Sequence, residues 1–390
     1  MEHHIMHIRV WKFLRWLLVP WLRHKFNFKY EEYTPEDDTP VLVMANHDTD
    51  WDPLLLACAF PNQMYFVASE HIFRWGFLSK LIVFFLGPIS RLKGTTASDT
   101  VMTILRRIKK GANVAMFANG SRSFNGISED ILPSTGKLAR VSGATLVTYR
   151  IDGGYFTQPR WNSSGLRRGR LSGRIMNVYT PQQLKKMSVN EINEAINRDL
   201  YVDAYAVQRR RMVPFKGKAL AEGLERVLCL CPKCGKLGRM STKDDTIRCE
   251  ECGYEVKYDE YGFLKGHDAV YDSITEWDNA QTESFRAMAD AAGEKGLIFS
   301  DGGFTLTEIL PGHKTAPAGE GSLAIYGDRI ECCGLTMPTS ELGSFAMHGP
   351  VAVNFSFAGR DYELTPSAGI CTRKYMTVFN HLKSRSTVGA

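Results

Sequence analysis

The stretch VLVMANHDTDWDPLLL, residues 41–56, decides how the first half of the chain folds. Its opening run, 41–45, predicts a buried strand, because short continuous apolar runs are typical of strands covered on both faces. Asp52 and Pro53 then predict a helix start, with Asp52 as the N-cap and Pro53 at the first helical position. A strand that passes through a polar loop into a helix is a repeating unit of α/β domains.

The same alternation continues to about residue 180. Strand-like runs lie at 64–68, 113–117, 145–151 and 173–179, and helix-like runs lie at 53–59, 71–86, 97–110 and 135–142. Alternating elements of this kind predict an α/β domain. The chain has 390 residues, 44% hydrophobic and 23% charged, which are ordinary globular values and leave room for two or three domains.

The first thirty residues combine positive charge with aromatic side chains. They hold six Lys or Arg against one acid, and three of the seven tryptophans of the chain. We predict that residues 1–30 form an amphipathic segment in the membrane interface, and Pro20 should kink or end its helix. The alternative is a terminal helix packed on its own domain. The apolar positions at helical spacing are Ile8, Trp11, Leu14, Leu18, Trp21 and Leu22.

A second apolar run lies at 77–89. It is shorter than a membrane span and contains Lys80. We interpret it as a buried helix near the lipid side of the molecule.

The loop after the first strand pairs a histidine with an acid. Four residues separate His47 from Asp52, so both side chains can meet across one tight loop. A carboxylate that accepts a hydrogen bond from one imidazole nitrogen fixes the tautomer and leaves the other nitrogen to act as a base. The alternative is that Asp52 only caps the helix, and the spacing by itself is a weak signal.

Arginines follow two other apolar runs. Arg91 comes just after the run that ends near residue 89, and Arg122 follows Gly120 and Ser121 after the strand at 113–117. Guanidinium groups in loops after strands suit phosphate or carboxylate binding, because the fork of N–H donors matches those oxygens. Each arginine taken singly also fits a solvated loop charge.

A third group of arginines follows residue 159 with no acid between its members. It would attract an anionic lipid surface, the phosphates of coenzyme A or an acidic carrier protein, and a solvated loop is an equal alternative. Its members are Arg160, Arg167, Arg168, Arg170 and Arg174.

Four blocks between about residues 35 and 155 resemble the glycerolipid acyltransferases, the family of lysophosphatidic acid acyltransferase, in order and in spacing. The blocks are NHDTDWD, GPISR, FANGSRS and LPSTGKLARVSGATLVTYRI. The resemblance implies a mixed-sheet α/β acyltransferase domain, which we assign to residues 31–225. Two positions depart from the family pattern: Asn119 replaces a glutamate, and Thr148 replaces a common proline.

The resemblance also implies roles for the residues of the blocks. His47 would be the general base on the acceptor hydroxyl, with Asp52 orienting it, and Arg91 and Arg122 would hold the acceptor's phosphate. Substrate contact would extend to Asn119, Gly120 and Ser121, with Gly120 allowing close approach of the backbone.

The implied reaction is acyl transfer at a membrane surface. The donor would be acyl-CoA or acyl carrier protein, and the acceptor a lysophospholipid, above all 1-acylglycerol-3-phosphate, which gives phosphatidic acid. The protein would be peripheral at the cytoplasmic face of the membrane. A different interpretation is a catalytically inactive, lipid-binding membrane adaptor whose cysteine module recruits a partner.

The cysteine module lies at 226–262. Cys231 and Cys234 form one close pair, Cys249 and Cys252 form another, and a glycine follows each pair. Four thiolates in this spacing predict a zinc ribbon with a structural zinc ion, and an iron–sulfur cluster is a minor alternative. Acids offset the basic residues of the module, so we expect no nucleic-acid partner.

The rest of the chain changes in pattern. Residues 263–293 predict a helical connector that ends near Gly293. Residues 294–390 show short strands with Gly-containing turns and a last helix, which predicts a β-rich accessory domain. This region weakly resembles pleckstrin-homology or GRAM-like domains.

Overall fold

The computed structural model describes residues 2–74, 76–91, 98–312, 314–367 and 369–388. The described residues form two compact units. The first comprises 2–91, 98–160 and 166–216, and the second comprises 161–165 and 217–388. The boundaries predicted at 30, 225, 262 and 293 stay predictions.

A mixed sheet forms the middle of the first unit. Its strands are β1 (Lys29–Tyr30), β2 (Val41–Ala45), β3 (Met64–Ser69), β4 (Ile89–Arg91), β5 (Asn113–Phe117), β6 (Thr145–Asp152) and β7 (Ser172–Tyr179), in the order β1-β7-β6-β2-β5-β3-β4. Strands β2 to β6 run parallel, and β7 is antiparallel to β6. The predicted mixed α/β sheet is confirmed, and the carboxyl ends of β2 to β6 share one edge.

The helices of the first unit cover both faces of this sheet. They are α1 (Glu2–Lys25), α2 (Asp52–Ala59), α3 (Phe77–Leu86), α4 (Ser98–Lys109), α5 (Thr135–Ser142), α6 (Gly154–Thr157), α7 (Pro181–Lys186), α8 (Val189–Leu200) and α9 (Ala204–Arg211). Alternate residues of β2 separate two cores, with Val43 packed on the face of α1 and α2, and Met44 on the face of α4, α5 and α8.

The local structure differs from the predicted elements at three places. The helix predicted over 71–86 is a short 3-10 helix, Glu70–Arg74, followed by α3, because Gly76 takes a φ of 61° and interrupts the helical backbone. Strand β4 was not predicted. Pro20 lies inside α1, which continues to Lys25, so the predicted helix end is wrong and the predicted kink stays a prediction. Buried side chains on both sides of Pro20, including Trp11 and Leu22, hold the helix in the same core.

The apolar side chains of α1 and α3 are divided between the core and the surface. Trp11 is buried, whereas Trp16 is 74% exposed. Contrary to the prediction of a buried helix, α3 is largely exposed: Phe77 is 75% exposed, and Ser79 is the buried residue of this helix. The two helices contact each other through His7, whose Nε2 lies 3.0 Å from the carbonyl oxygen of Phe84. Within the described ranges, none of the helices combines the length and apolarity needed to cross a bilayer.

The second unit contains two antiparallel sheets. The small one has the order β11-β10-β9-β8, from β8 (Met240–Lys243), β9 (Thr246–Cys249), β10 (Glu255–Tyr258) and β11 (Leu264–Lys265). The large one has the order β15-β14-β13-β12-β18-β17-β16, from β12 (Leu297–Leu310), β13 (Lys314–Tyr326), β14 (Arg329–Cys332), β15 (Leu335–Pro338), β16 (Phe345–His348), β17 (Ala352–Phe357) and β18 (Arg360–Pro366). The β-rich C-terminal region is therefore confirmed.

Two helices join these sheets. They are α10 (Ile274–Ala292) and α11 (Arg373–Val388), and they pack on each other. On α10, the indole of Trp277 donates to the carbonyl of Leu230 beside the cysteine module, and Asp278 accepts two hydrogen bonds from Arg373 of α11. The helical connector predicted within 263–293 is α10, which links the cysteine module to the larger sheet.

Candidate active site

The loop between β2 and α2 brings His47 and Asp52 together. Nδ1 of His47 lies 2.8 Å from Oδ2 of Asp52. The carboxylate is fully buried, while the imidazole keeps 22% of its side chain exposed. Since a carboxylate only accepts, Nδ1 carries the proton, and Nε2 is the nitrogen with the basic lone pair.

Contrary to the prediction, Asp52 does not cap the helix. Trp51 precedes the first turn of α2, and no side chain caps it. The carboxylate turns back into the loop, where its Oδ2 accepts from the backbone N–H groups of Asp48 at 2.6 Å and Thr49 at 2.8 Å. Oδ1 accepts from the Thr49 hydroxyl at 2.6 Å. These bonds fix the loop around the carboxylate, so Asp52 both shapes the loop and holds the imidazole.

Two neighbours fix the position of this loop on the sheet. The ring of His47 stacks on Phe117 of β5, with centroids 4.3 Å apart and planes inclined by 18°. The Asn46 amide bonds both to the N–H and to the carbonyl of Ile151 on β6, at 2.7 and 2.8 Å. Phe117 was not predicted as a site residue, although it ends a strand-like run of the sequence, at 113–117.

Arg122 holds the loop from the side of β5. Its Nε donates to the carbonyl of Asp48 and its Nη1 to Oδ1 of Asp50, both at 2.8 Å, and its Nη2 donates to the carbonyl of Gln158. The Gln158 amide also bonds to Asp50. Arg122 thus bonds to the loop that carries His47, with each guanidinium nitrogen bound to protein. Gln158 carried no signal in the sequence, because 108 residues separate it from Asp50.

The other residues of the third block are arranged around the turn after β5. The Asn119 amide donates to the carbonyl of Glu129, which holds the loop together. Gly120 has a φ of 68°, and a Cβ there would meet no atom within 4 Å. Glycine is favoured at this position because the backbone is left-handed, not because a side chain would clash, and open space lies next to Gly120. Ser121 is half-buried in the same turn.

Arg91 ends β4 at the same edge of the sheet. Three strand spacings separate β4 from β2, so Arg91 lies about 14 Å along the sheet from the strand that carries His47. Its guanidinium is partly buried, which lowers its pKa. The structure therefore brings His47, Asp52 and Arg122 into one bonded group and leaves Arg91 at the far end of the edge.

Asp48 is a buried acid inside the loop. It accepts a hydrogen bond from the Asn46 amide at 3.1 Å, and Gly154 packs against its side chain. Burial, reinforced by the charge of Asp52, raises the pKa of Asp48 to about 8. Asp48 is therefore protonated at neutral pH, unlike an ordinary loop carboxylate.

Thr148 explains one departure from the family pattern. It is fully buried on β6, and its hydroxyl donates to Asp199 of α8 at 2.9 Å. Asp199 also accepts from Asn177 and Tyr179 on β7. The threonine thus belongs to a buried polar network on the α8 face of the sheet, whereas His47 stacks on a residue that packs with the opposite core.

The arginines after residue 159 do not form one exposed patch. Arg160 and Arg167 are buried, and Nη1 of Arg160 donates to the carbonyl of Arg122 at 3.1 Å. Its guanidinium lies 4.0 Å from the centroid of Phe124. Arg168 and Arg170 are exposed and Arg174 is half-buried.

The four cysteines of the predicted metal site meet in the second unit. Their sulfur atoms all lie within 4.8 Å of one another. Sγ of Cys231 is 3.7 Å from that of Cys252, and Sγ of Cys234 is 3.8 Å from that of Cys249. A tetrahedral zinc ion with bonds of about 2.3 Å places its sulfur ligands about 3.8 Å apart, so the residues fit the ion.

Local backbone structure explains why these sulfurs converge. The N–H groups of Gly235 and Gly253 donate to the carbonyls of Cys231 and Cys249, both at 3.0 Å. Both glycines have a positive φ, near 70°, which closes each turn under its pair of cysteines. The predicted pair of Cys-x2-Cys-Gly turns is confirmed, and the identity of the metal stays a prediction.

Comparison with known proteins finds similarities of two kinds. Residues 25–152 match the family model described as Acyltransferase. Among solved structures, the crystal structure of the 1-acyl-sn-glycerophosphate (LPA) acyltransferase PlsC from Thermotoga maritima is similar, with 16% sequence identity and a TM-score of 0.42. The match covers 52% of this chain and 79% of that chain.

Proposed function

We propose that the protein transfers a fatty acyl group from a thioester to the hydroxyl of a lysophospholipid, since residues 25–152 match the Acyltransferase family model. The observation that carries this proposal is the 2.8 Å contact between Nδ1 of His47 and Oδ2 of the buried Asp52. It gives the imidazole one tautomer and directs its basic nitrogen away from the carboxylate. 1-Acylglycerol-3-phosphate is the acceptor we favour, which makes the product phosphatidic acid.

In the proposed reaction His47 acts as a general base. Its Nε2 takes the proton of the acceptor hydroxyl while the oxygen attacks the thioester carbonyl carbon. The tetrahedral intermediate then collapses, the carbon–sulfur bond breaks, and the thiolate leaves with the proton from the imidazolium. Asp52 stabilises the imidazolium between these two steps. No acyl-enzyme is needed, because the loop offers a base and no serine or cysteine nucleophile within it.

Positioning supplies much of the rate enhancement in this proposal. Holding donor and acceptor in reacting geometry can contribute about 7–11 kcal/mol. Arg122 lies at the loop with its guanidinium already bound to Asp48, Asp50 and Gln158, so its first role is to keep the loop in place. We also propose that the acceptor's phosphate contacts Arg122, Arg91 and the turn at 119–121.

We propose a membrane interface on α1 and α3. Their exposed apolar side chains would enter the boundary between headgroups and acyl chains, and the exposed Arg9, Lys12 and Lys80 would meet anionic lipid. A peripheral position of this kind, at the cytoplasmic face, would present the site to a lipid acceptor. The exposed side chains are Ile5, Phe13, Trp16, Leu17 and Trp21 on α1, and Phe77, Leu78, Leu81, Val83, Phe84 and Phe85 on α3.

The cysteine module would hold a structural zinc ion. All four ligands are thiolates, which leaves no position for a substrate or water on a tetrahedral ion. The ion would stabilise the turns at Cys231 and Cys249 and so the attachment of the module to α10. A pleckstrin-homology or GRAM-like role for the large sheet stays a prediction.

The test is acyl transfer by the wild type and by His47→Ala. Purified protein is given radiolabelled acyl-CoA or acyl carrier protein with lysophosphatidic acid in mixed micelles, followed by other lysophospholipids. We expect labelled phosphatidic acid from the wild type and at least a thousandfold less from the variant. If both proteins are folded and give the same background level of labelled product with all acceptors, the proposed acyltransferase activity is refuted and the membrane adaptor is favoured.

A further inference from the structure

Three arginines surround one buried carboxylate at the end of β6. Asp152 is 3% exposed, and its Oδ1 lies 3.5 Å from Nε of Arg150. Its Oδ2 lies 3.4 Å from Nη2 of Arg174 and 3.7 Å from Nη1 of Arg211. One carboxylate cannot neutralise three guanidinium groups, so the cluster keeps an excess of positive charge.

The hydrogen-bonding capacity of this cluster is not met by the described part of the chain. Nε of Arg174 is a buried donor that makes no hydrogen bond there, while Nε of Arg150 and Oδ1 of Asp152 face each other only as an ion pair at 3.5 Å. Buried polar atoms nearly always have a partner in folded proteins. An unmet guanidinium donor beside excess positive charge indicates a site for an anion.

A cavity adjoins the cluster. It is a small recess that opens to solvent, with Asp152 and Arg211 among its lining residues. The recess has room for about one or two water molecules, so a ligand held by the arginines would lie mainly above it. The apolar walls are formed by Phe156, Val202, Val207, Val213 and Phe215.

The cluster lies at the reacting edge of the sheet but on its other face. Arg150 alternates with Tyr149 and Ile151, which belong to the core under α1 and α2, and its Nη1 donates to the carbonyl of Tyr201 after α8. His47 stacks on the α1 and α2 side. The charge of Asp152 nevertheless reaches the loop, since it contributes to the raised pKa of Asp48.

This placement favours the acyl donor over the acceptor. In a lysophosphatidate, only a few bonds separate the phosphate from the reacting hydroxyl, so its phosphate must stay near His47. In a coenzyme A thioester, the long pantetheine arm separates the phosphates from the reacting carbonyl. That arm can pass over the edge of the sheet while the nucleotide occupies the opposite face.

We propose that Arg150, Arg174 and Arg211 bind the phosphate groups of the coenzyme A nucleotide of the acyl donor. The proposal rests on the proposed acyl transfer. A concave site suits a nucleotide better than the broad surface of a carrier protein, and the side chain of Arg150 is only 18% exposed.

The first test is binding of adenosine 3′,5′-bisphosphate to the full chain by calorimetry, which does not depend on catalysis. Arg174→Gln and Arg211→Gln should each weaken binding about tenfold, because each removes one charge-assisted contact. Arg106→Gln, an exposed position on α4, removes the same charge elsewhere and should leave binding unchanged. Asp152→Asn should tighten binding, since it removes the competing carboxylate.

The second test is kinetic. Arg174→Gln and Arg211→Gln should raise KM about tenfold for acyl-CoA and leave kcat/KM unchanged for an acyl thioester of N-acetylcysteamine, which has no nucleotide. Equal binding of the bisphosphate by wild type and both variants, with unchanged unfolding transitions, would overturn the proposal. So would a raised KM for lysophosphatidate alone, which would assign the cluster to the acceptor, or for acyl carrier protein alone. Nucleotide binding without any turnover would support the site while refuting the acyl transfer.

Discussion

Replacing Asp52 by asparagine should remove the charge behind His47 while keeping the shape of the loop. The asparagine oxygen can take the place of Oδ2 and accept from His47, Asp48 and Thr49. Its amide can then face the Thr49 hydroxyl, which can turn to accept. Geometry is kept and one negative charge is lost.

The expected cost follows from the 2.8 Å contact between Nδ1 and Oδ2. It places the charge centres of imidazolium and carboxylate about 4 Å apart, where the attraction is about 4 kcal/mol at an effective dielectric constant of about 20. Because the imidazolium forms only during the reaction, the loss appears in kcat. We therefore expect kcat of Asp52→Asn to fall about a thousandfold with little change in KM.

The assay is release of coenzyme A from acyl-CoA, measured with a thiol reagent at varied lysophosphatidate. The control is Asp50→Asn, which removes the same charge from the same loop at a side chain that is 68% exposed. Its ion pair with Arg122 is worth at most about 1 kcal/mol, so kcat should fall less than about fivefold. If Asp52→Asn keeps more than a tenth of wild-type kcat, or if both variants lose equally, the reasoning about the imidazolium is wrong.

Three further predictions concern stability, metal and membrane. Because the folded chain raises the pKa of Asp48 from 3.8 to about 8, its proton stabilises the fold below pH 4, and this stabilisation is lost as pH rises toward 8. The free energy of unfolding of Asp48→Asn should therefore gain on the wild type by about 1.4 kcal/mol per pH unit in this window, measured by urea unfolding at pH 5 and 8; a constant difference would contradict this. The wild type should bind one zinc ion per chain by elemental analysis and Cys252→Ser less, with chelation exposing the second unit to protease; equal protease resistance without metal would argue against a structural ion. The double variant Phe13→Ser/Trp16→Ser should lose binding to anionic vesicles in a sedimentation assay at least tenfold, whereas Val141→Ser, also an exposed apolar position, should not; equal loss would refute an interface on α1.

Much of the first unit was predictable because its signals are local. The strands at 41–45 and 113–117 have the predicted bounds, since a short apolar run between polar loops has few other ways to be buried. The His47–Asp52 pair was predictable for the same reason, because one tight loop joins both residues. The exposure of the helix at 77–86 was not predictable, because hydropathy measures what a side chain favours and not whether the fold provides a partner to cover it.

The sequence by itself determined the elements and groups whose partners lie within a few residues: the strand–loop–helix unit, the histidine with its acid, and the two Cys-x2-Cys-Gly turns. Only the tertiary structure decided that Arg122 binds Asp50 and Gln158, that Thr148 belongs to the Asp199 network, and that Arg150, Arg174 and Arg211 surround Asp152. The physical reason is distance along the chain. A polar side chain can bond to any complementary group that the sheet brings beside it, and the order of strands, which no local pattern encodes, selects that group.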